Sequence, residues 1–340
     1  MNTLPTENAG SSIQGAWQHR ALTSNTDHRI TNTICGDSNS NIGNVSNSYN
    51  TTINVGIEEE SLRIQEWLSP LEPRKRHQDV RKCRLDGVGE WVLRRSEFES
   101  WCGGREREGS VNPTLLCFGA QGVGKTYIRY RCVLREKGTM LTSNKISSLV
   151  IDTLRKRTRG QNIAVMFLYC DYQAQKDQSA VNLIGSLVRQ AASRAPSIPG
   201  EIKSAFDESK KEDGDSLRLP DMVKLVVNVF GSFEVVYLSV DAVDEVLPQH
   251  RLDFFRALQQ IVQETPNVRL FLTGRPYIRA ELNSHLTEGA YVIDIVVDQE
   301  DITRYLSRKI DDNDHQDPNL MTEDLKNHIM KTMLGKASEM

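Results

Sequence analysis

The chain has 340 residues, 42 Lys and Arg against 45 Asp and Glu, and a net charge of −3, so it lacks the basic excess of a general polyanion binder. Its six cysteines stand far apart with no CxxC pair, which argues against structural zinc and a disulfide framework. No apolar run approaches the ~18 residues of a membrane span, and the N-terminus lacks a signal-peptide layout, so a reduced cytoplasmic protein is expected.

Residues 1–56 are dominated by Asn, Ser and Thr, with too little apolar surface to offset chain entropy, and read as a disordered leader. Within it "NIGNVSNSYNTTINVG" spaces Asn41, Asn44, Asn47 and Asn50 three apart among Ile42, Val45, Ile53 and Val55. Such a pattern either stays a flexible polar tail or stacks as a self-templating cross-β segment.

Order is expected from residue 57. A helical lead-in, 57–112, opens with "IEEESLRIQEWLSP", where Leu62, Trp67 and Leu68 follow acidic residues at loose helical spacing and Pro70 ends the pattern. The basic cluster Arg74–Lys82 reads as a solvated face, and the GxG of Gly87 and Gly89 carries little information alone. Trp91, Val92, Phe98 and Trp101 are expected to anchor the lead-in on the domain that begins at Pro113.

In 113–340, short apolar runs alternate with longer amphipathic ones. "TLLCF", "IAVMFLYC", "EVVYLSVD", "VRLFLTG" and "AYVIDIVV" read as strands. "SSLVIDTLRKRT", "AVNLIGSLVRQAA", "LPDMVKLVVNVF", "RLDFFRALQQIVQ", "EDITRYLSRKI" and "EDLKNHIMKTML" read as helices. Continuous apolar strands separated by helices imply an α/β fold, a parallel sheet with helices on both faces.

Three motifs carry chemistry. "GAQGVGKT" matches G-x-x-x-x-G-K-[ST]: the backbone of Gly119, Ala120, Gln121, Gly122, Val123 and Gly124 would cradle phosphates, Lys125 would reach the β- and γ-phosphates, and the Thr126 hydroxyl would bind Mg²⁺. The metal site needs an acid at the end of another buried strand, and "VVYLSVDAVDEV" supplies Asp241, with Asp244 and Glu245 beyond it to orient or deprotonate a water. "LFLTGRP" ends the next strand with Thr273 and Arg275, a cation that can sense or stabilise γ-phosphate charge. "NKIS" at Asn144 lacks the aspartate of a guanine-reading NKxD, so adenine is preferred, with ATP or GTP as the nucleotide.

Together these pieces resemble the NACHT family of signal-transduction (STAND-class) P-loop NTPases, closely its fungal NLR-like branch. The lead-in "EWLSPLEPRKRHQDVR…GVGEWVLRRSEFESW" looks like the nephrocystin-type N-terminal region of such proteins. The resemblance covers residues 57–340 and implies an AAA-like P-loop fold. It also implies a nucleotide switch, closed with diphosphate and homo-oligomeric with triphosphate, in which Asp241 binds metal, Asp244 and Glu245 form the acidic pair and Arg275 senses phosphate. Ala242 stands where glycine is common, and "TGRP" where "TSRP" is common. The family continues into winged-helix and repeat parts beyond the point where this chain stops, so truncation is expected.

One stretch breaks the pattern. The family's apolar helix follows the Lys-Thr pair directly, whereas here Arg129–Ile146 intervenes with weak amphipathicity and a glycine stop at Gly138. Its length suits a short fungal intron retained in the message; a genuine helix-loop insertion is the alternative. The leading expectation is an ATP-binding switch with slow hydrolysis in fungal non-self recognition or programmed cell death. The alternatives are a turnover enzyme and a nucleotide-inactive scaffold assembling through its Asn-rich leader; neither a membrane span nor a specific nucleic acid is expected.

Overall fold

The computed structural model describes residues 59–103, 112–119, 143–195, 197–211, 217–286, 289–296, 298–316 and 322–337. Among its described residues the lead-in forms the α-helices α1 (residues 59–68), α2 (Pro73–Lys82) and α3 (Ser96–Cys102), with a 3₁₀ helix over Glu90–Arg94 before α3. In α1 the buried face runs through Ile64 and Leu68, one turn apart, while Leu62 points to solvent at 60% exposure. The helical phase is therefore set by Ile64, which the loose apolar spacing does not single out. Trp67 is partly buried, edge-on to Phe206 at 5.2 Å. The basic cluster is α2: its arginines face outward, but His77 and Val80 on its other side are buried. Of the four anchors, Val92, Phe98 and Trp101 are fully buried and Trp91 half-buried. The Trp101 indole N–H donates to Pro113 O at 3.0 Å, satisfying the one polar atom its burial would otherwise strand.

Five strands come next: β1 (Thr114–Gly119), β2 (Ile163–Tyr169), β3 (Val235–Asp241), β4 (Val268–Gly274) and β5 (Tyr291–Ile295). All neighbouring pairs are parallel, in the order β2-β3-β4-β1-β5. Parallel neighbours require crossovers, supplied by α4 (Ser143–Arg157), α5 (Ala180–Ala192), α6 (Gly200–Lys211), α7 (Leu219–Gly231), α8 (Pro248–Glu264) and α9 (Arg279–Leu286). Helices α10 (Gln299–Gln316) and α11 (Glu323–Ala337) come after β5. This is the α/β architecture anticipated from the alternation of apolar runs, a parallel sheet with helices on both faces. The short helix α6 lies in a stretch that reads only as polar, and its two buried apolar residues, Ile202 and Phe206, are spaced one turn apart between charges.

Strand alternation sorts the core into two layers. Leu116, Phe118, Met166, Leu168, Leu238, Val240, Leu270 and Leu272 face α5, α7 and α8. Leu115, Cys117, Val165, Phe167, Tyr237 and Phe271 face α4 and the lead-in. Each large apolar side chain among them contributes about 1.5–3 kcal/mol by leaving water. The lead-in serves both layers, α1 joining the first and α2 and α3 the second. Its approach is close: a Cβ on Gly185 of α5 would lie 2.0 Å from Leu68 O, so only glycine admits the turn after α1.

Edge strand β2 does not offer a free ladder. The Gln190 side chain accepts from Phe167 N–H at 3.2 Å and donates to Phe167 O at 2.8 Å, imitating a neighbouring strand, and Arg194 donates to Ile163 O at 3.0 Å.

Candidate functional site

In a parallel sheet all strands end on one edge, and register places Cys117 of β1 beside Thr273 of β4 and Val240 of β3 beside Leu272. The ends of β1, β3 and β4 thus gather Gly119, Asp241 and Thr273. Gly119, at the end of β1, is the one member of the glycine loop among the described residues; Ala120, Gln121, Gly122, Val123, Gly124, Lys125 and Thr126 lie outside them.

Asp241 is fully buried. Its Oδ1 accepts two hydroxyl hydrogen bonds, from Ser147 Oγ of α4 and Thr273 Oγ1 of β4, both at 2.6 Å. Thr273 Oγ1 in turn accepts the Ala242 N–H at 3.0 Å. Oδ2 is buried with no hydrogen-bond partner among the described residues. Burial pushes the carboxyl up to about 6; the two hydroxyls oppose this, and nearby Glu245 and Asp244 add to it. A buried carboxylate with one bare oxygen is costly unless a cation faces it. The donor set fits Mg²⁺ carried by a nucleotide, which binds through one or two carboxylates plus phosphate oxygens rather than an all-protein cage. Among the described residues no group of three or more His, Cys, Asp or Glu could hold a metal by itself.

After β3 the chain turns sharply. Ala242 adopts φ 55°, ψ 49°, the left-handed region where glycine is at ease, and a single 3₁₀ turn over Val243–Glu245 comes after it. The turn is braced by Arg251 of α8, whose guanidinium donates to Val246 O at 2.9 Å and Asp244 O at 3.3 Å and pairs with Glu281 at 3.0 Å. Asp244 is nearly buried. Its Oδ1 accepts the Arg275 N–H at 3.2 Å, and its Oδ2 meets Arg275 Nε at 3.2 Å. The same guanidinium reaches Glu245 Oε1 at 3.8 Å, while Glu245 Oε2 accepts the Tyr172 N–H at 3.2 Å. Asp244, Glu245 and Arg275 are therefore brought together and partly neutralise one another. Tyr277 adds a hydroxyl 3.4 Å from Asp244 Oδ2. A Cβ at Gly274 would lie 3.0 Å from Ile278 and 3.2 Å from Val243, so a glycine suits the position where serine is common in the resembled family.

Sequence reasoning misses Ser147 and Arg251. Ser147 opens an apolar helix, where a serine reads as a helix start rather than a site residue. Arg251 comes after His250 in a polar first turn and reads as surface.

Residues 144–275 match the family described as "Nephrocystin 3, N-terminal". The segment runs from α4 to Arg275 and contains Asp241, Asp244 and Glu245, so it lies beyond the lead-in at 66–101 on which the nephrocystin-type resemblance rests. No curated protein matches the sequence. Solved structures similar to this chain include the Orc1 protein of Aeropyrum pernix in complex with DNA, at 14% identity over 73% of this chain and 53% of that one, TM-score 0.39. Another is a Walker-type ATPase of Pyrococcus abyssi, at 14% identity, 70% and 62% coverage and TM-score 0.38. A third is Cdc6p of Pyrobaculum aerophilum, at 15% identity, 71% and 53% coverage and TM-score 0.38. The chain spans between about half and three-fifths of the length of these solved chains. Among the described residues no helix is long and apolar enough to cross a membrane.

Proposed function

We propose that this chain is an ATP-binding signal-transduction NTPase, an NLR-like switch with slow hydrolysis that acts in the cytoplasm in fungal non-self recognition or programmed cell death. The observation that carries the reading is Asp241, buried at the strand edge where Gly119 opens the phosphate loop, with one oxygen tied by two hydroxyls and the other bare. In this reading Gly119–Thr126 hold the phosphates of ATP or GTP, and Thr126 and Asp241 hold Mg²⁺. The bound metal would supply charge neutralisation at the β- and γ-phosphates.

The remaining residues account for slowness. Asp244 and Glu245 are the candidates to orient or deprotonate water, but both face the Arg275 guanidinium, and a carboxylate held in an ion pair is a poor base. A triphosphate that drew the Arg275 guanidinium away would release Asp244 Oδ2 and Glu245 Oε1 from their ion pairs. Triphosphate would thereby be read locally, and homo-oligomerisation is the proposed outcome.

The intervening stretch enters the test. Ile146, buried in the α4 layer, directly precedes Ser147. Deleting Arg129–Ile146 puts Ile128 in that place, with Lys125 and Thr126 where Ser143 and Asn144 now stand. Binding of a fluorescent ATP analogue with Mg²⁺ is measured for the full chain, the deletion and Lys125→Ala. Micromolar binding that Lys125→Ala abolishes is expected, tighter in the deletion. Binding by neither form would replace this reading with the scaffold assembling through its Asn-rich leader.

A further inference from the structure

The Asp241 carboxylate is oriented from a helix as well as from its own sheet. Ser147 is fully buried, and its single proton is donated to Asp241 Oδ1 at 2.6 Å. Thr273 donates to the same oxygen from the next strand. Two donors on one oxygen, from a helix and a strand, fix the plane of the carboxylate and leave Oδ2 without a hydrogen-bond partner among the described residues. The neighbouring residue holds the helix in register. Consecutive helical residues point about 100° apart, so Ser148 faces the lead-in, where its Oγ accepts from Arg84 at 3.1 Å. Arg84 is itself anchored on Asp152, one turn further along α4, at 2.9 Å. The depth at which Ser147 reaches the strand edge is therefore set from another side of the helix.

We infer that Ser147 is a positioning residue of the nucleotide site, aiming Oδ2 of Asp241 at the magnesium of an incoming Mg²⁺·nucleotide. The inference rests on the reading of the site given above and extends it to a residue outside the phosphate loop. A hydroxyl that merely satisfied a buried carboxylate would affect stability and leave the metal dependence of binding alone. A positioning hydroxyl separates the two: nucleotide bound without metal never meets Asp241, whereas nucleotide bound through metal does. Loss of an outer hydrogen bond to a metal-holding group costs roughly ten- to a hundredfold in metal affinity.

The test uses the full chain, Ser147→Ala, Ser147→Cys and Ser148→Ala. Each is titrated with a fluorescent ATP analogue in excess EDTA, and then with Mg²⁺ at fixed nucleotide. Ser147→Ala is expected to raise the Mg²⁺ midpoint about tenfold or more and leave metal-free binding within about twofold. Ser147→Cys, nearly isosteric and a weak donor, is expected to fall between and covers the case in which the alanine variant does not fold. Ser148→Ala loosens the hold of Arg84 on α4 but leaves the Ser147 hydroxyl in place, and is expected to raise the Mg²⁺ midpoint by clearly less than Ser147→Ala does. An unchanged midpoint in both Ser147 variants, equal losses with and without metal, or the same loss in Ser148→Ala overturns the inference while the site reading stands. Absence of Mg²⁺-dependent binding in the unsubstituted chain overturns both.

Discussion

Asp152 and Asp241 both lie against α4, the first on the helix and the second at the strand end its Ser147 touches, and both carboxylates are largely withdrawn from water. Their surroundings differ in the charges that face them. Asp152 Oδ1 is 3.1 Å from His77 Nε2, and its Oδ2 faces Arg84 at 2.9 Å and Arg81 at 3.6 Å. Burial alone would raise this carboxyl, but His77 and Arg84 together hold it down at about 2. Among the described residues Asp241 has hydroxyls in place of cations, and its carboxyl is pushed up to about 6. One buried charge is countered inside the protein, by residues that tie the lead-in to α4. The other has no cation beside it among the described residues. The same fold thus holds one carboxylate that ties the scaffold together and one that, in the proposed reading, would face a bound cation.

Breaking the countered aspartate should do the most damage. Asp152→Ala leaves Arg84, itself well buried, and the ring of His77 without their acceptor, and removing one partner of such a cluster costs about 3–5 kcal/mol. Urea unfolding at pH 7 reads this directly. The linkage has a definite sign: a depressed carboxyl stabilises above its ordinary value of 3.8, and that contribution is lost as pH falls toward about 2. A loss under about 1 kcal/mol would make the cluster a surface feature and remove the contrast.

The uncountered aspartate should respond in the opposite direction. A carboxyl raised to about 6 makes the ligand-free fold lose stability as pH climbs from 3.8 to about 6, by up to about 3 kcal/mol for a shift of that size. Asp241→Asn keeps an oxygen for Ser147 and Thr273 and replaces the bare oxygen with an amide donor that itself lacks a partner. The net expectation is a gain of about 1–2 kcal/mol at pH 8, turning into a loss of about 1–2 kcal/mol near pH 4, in a variant that has lost Mg²⁺-dependent nucleotide binding. A variant less stable than the original at pH 8 would mean that Asp241 is already compensated, and the comparison would fail on its second half.

How much of this contrast is legible in the sequence depends on what each half rests on. Asp241 ends an apolar strand with Asp244 and Glu245 just beyond, a pattern of local spacing, and the strand alternation that gives the parallel sheet is equally local. The covalent order also shows Thr273 and Arg275 ending the next strand. Asp152 is invisible in the same way that Ser147 is. It stands in an apolar helical run, and its partners His77, Arg81 and Arg84 come from a basic stretch that reads as solvated, some seventy residues away. Long-range pairing of that kind is decided by how α2 lies on α4, which no periodicity records. The phase of α1, centred on Ile64 rather than Leu62, escapes the sequence because the acidic start weakens the apolar signal.

The smallest effect sharpens the comparison most finely, because it concerns one backbone angle. Asp152 lies within a regular helix, whereas the residue after Asp241 is held in the left-handed region without being glycine. That conformation costs an alanine about 1–2 kcal/mol, and glycine in its place would lose about 0.5–1 kcal/mol more chain entropy on folding. Ala242→Gly should therefore stabilise by about 0.5 kcal/mol, a rise of roughly 1–2 °C in Tm. The strain is local and has a use: the Ala242 N–H is aimed at Thr273 Oγ1, which spends its proton on Asp241. If the angle serves the carboxylate, the glycine variant gains stability and keeps the Mg²⁺ midpoint, since glycine adopts the same angle freely. A variant that gains stability but loses metal dependence would show instead that the methyl group, by stiffening the turn, helps hold Asp241 in place.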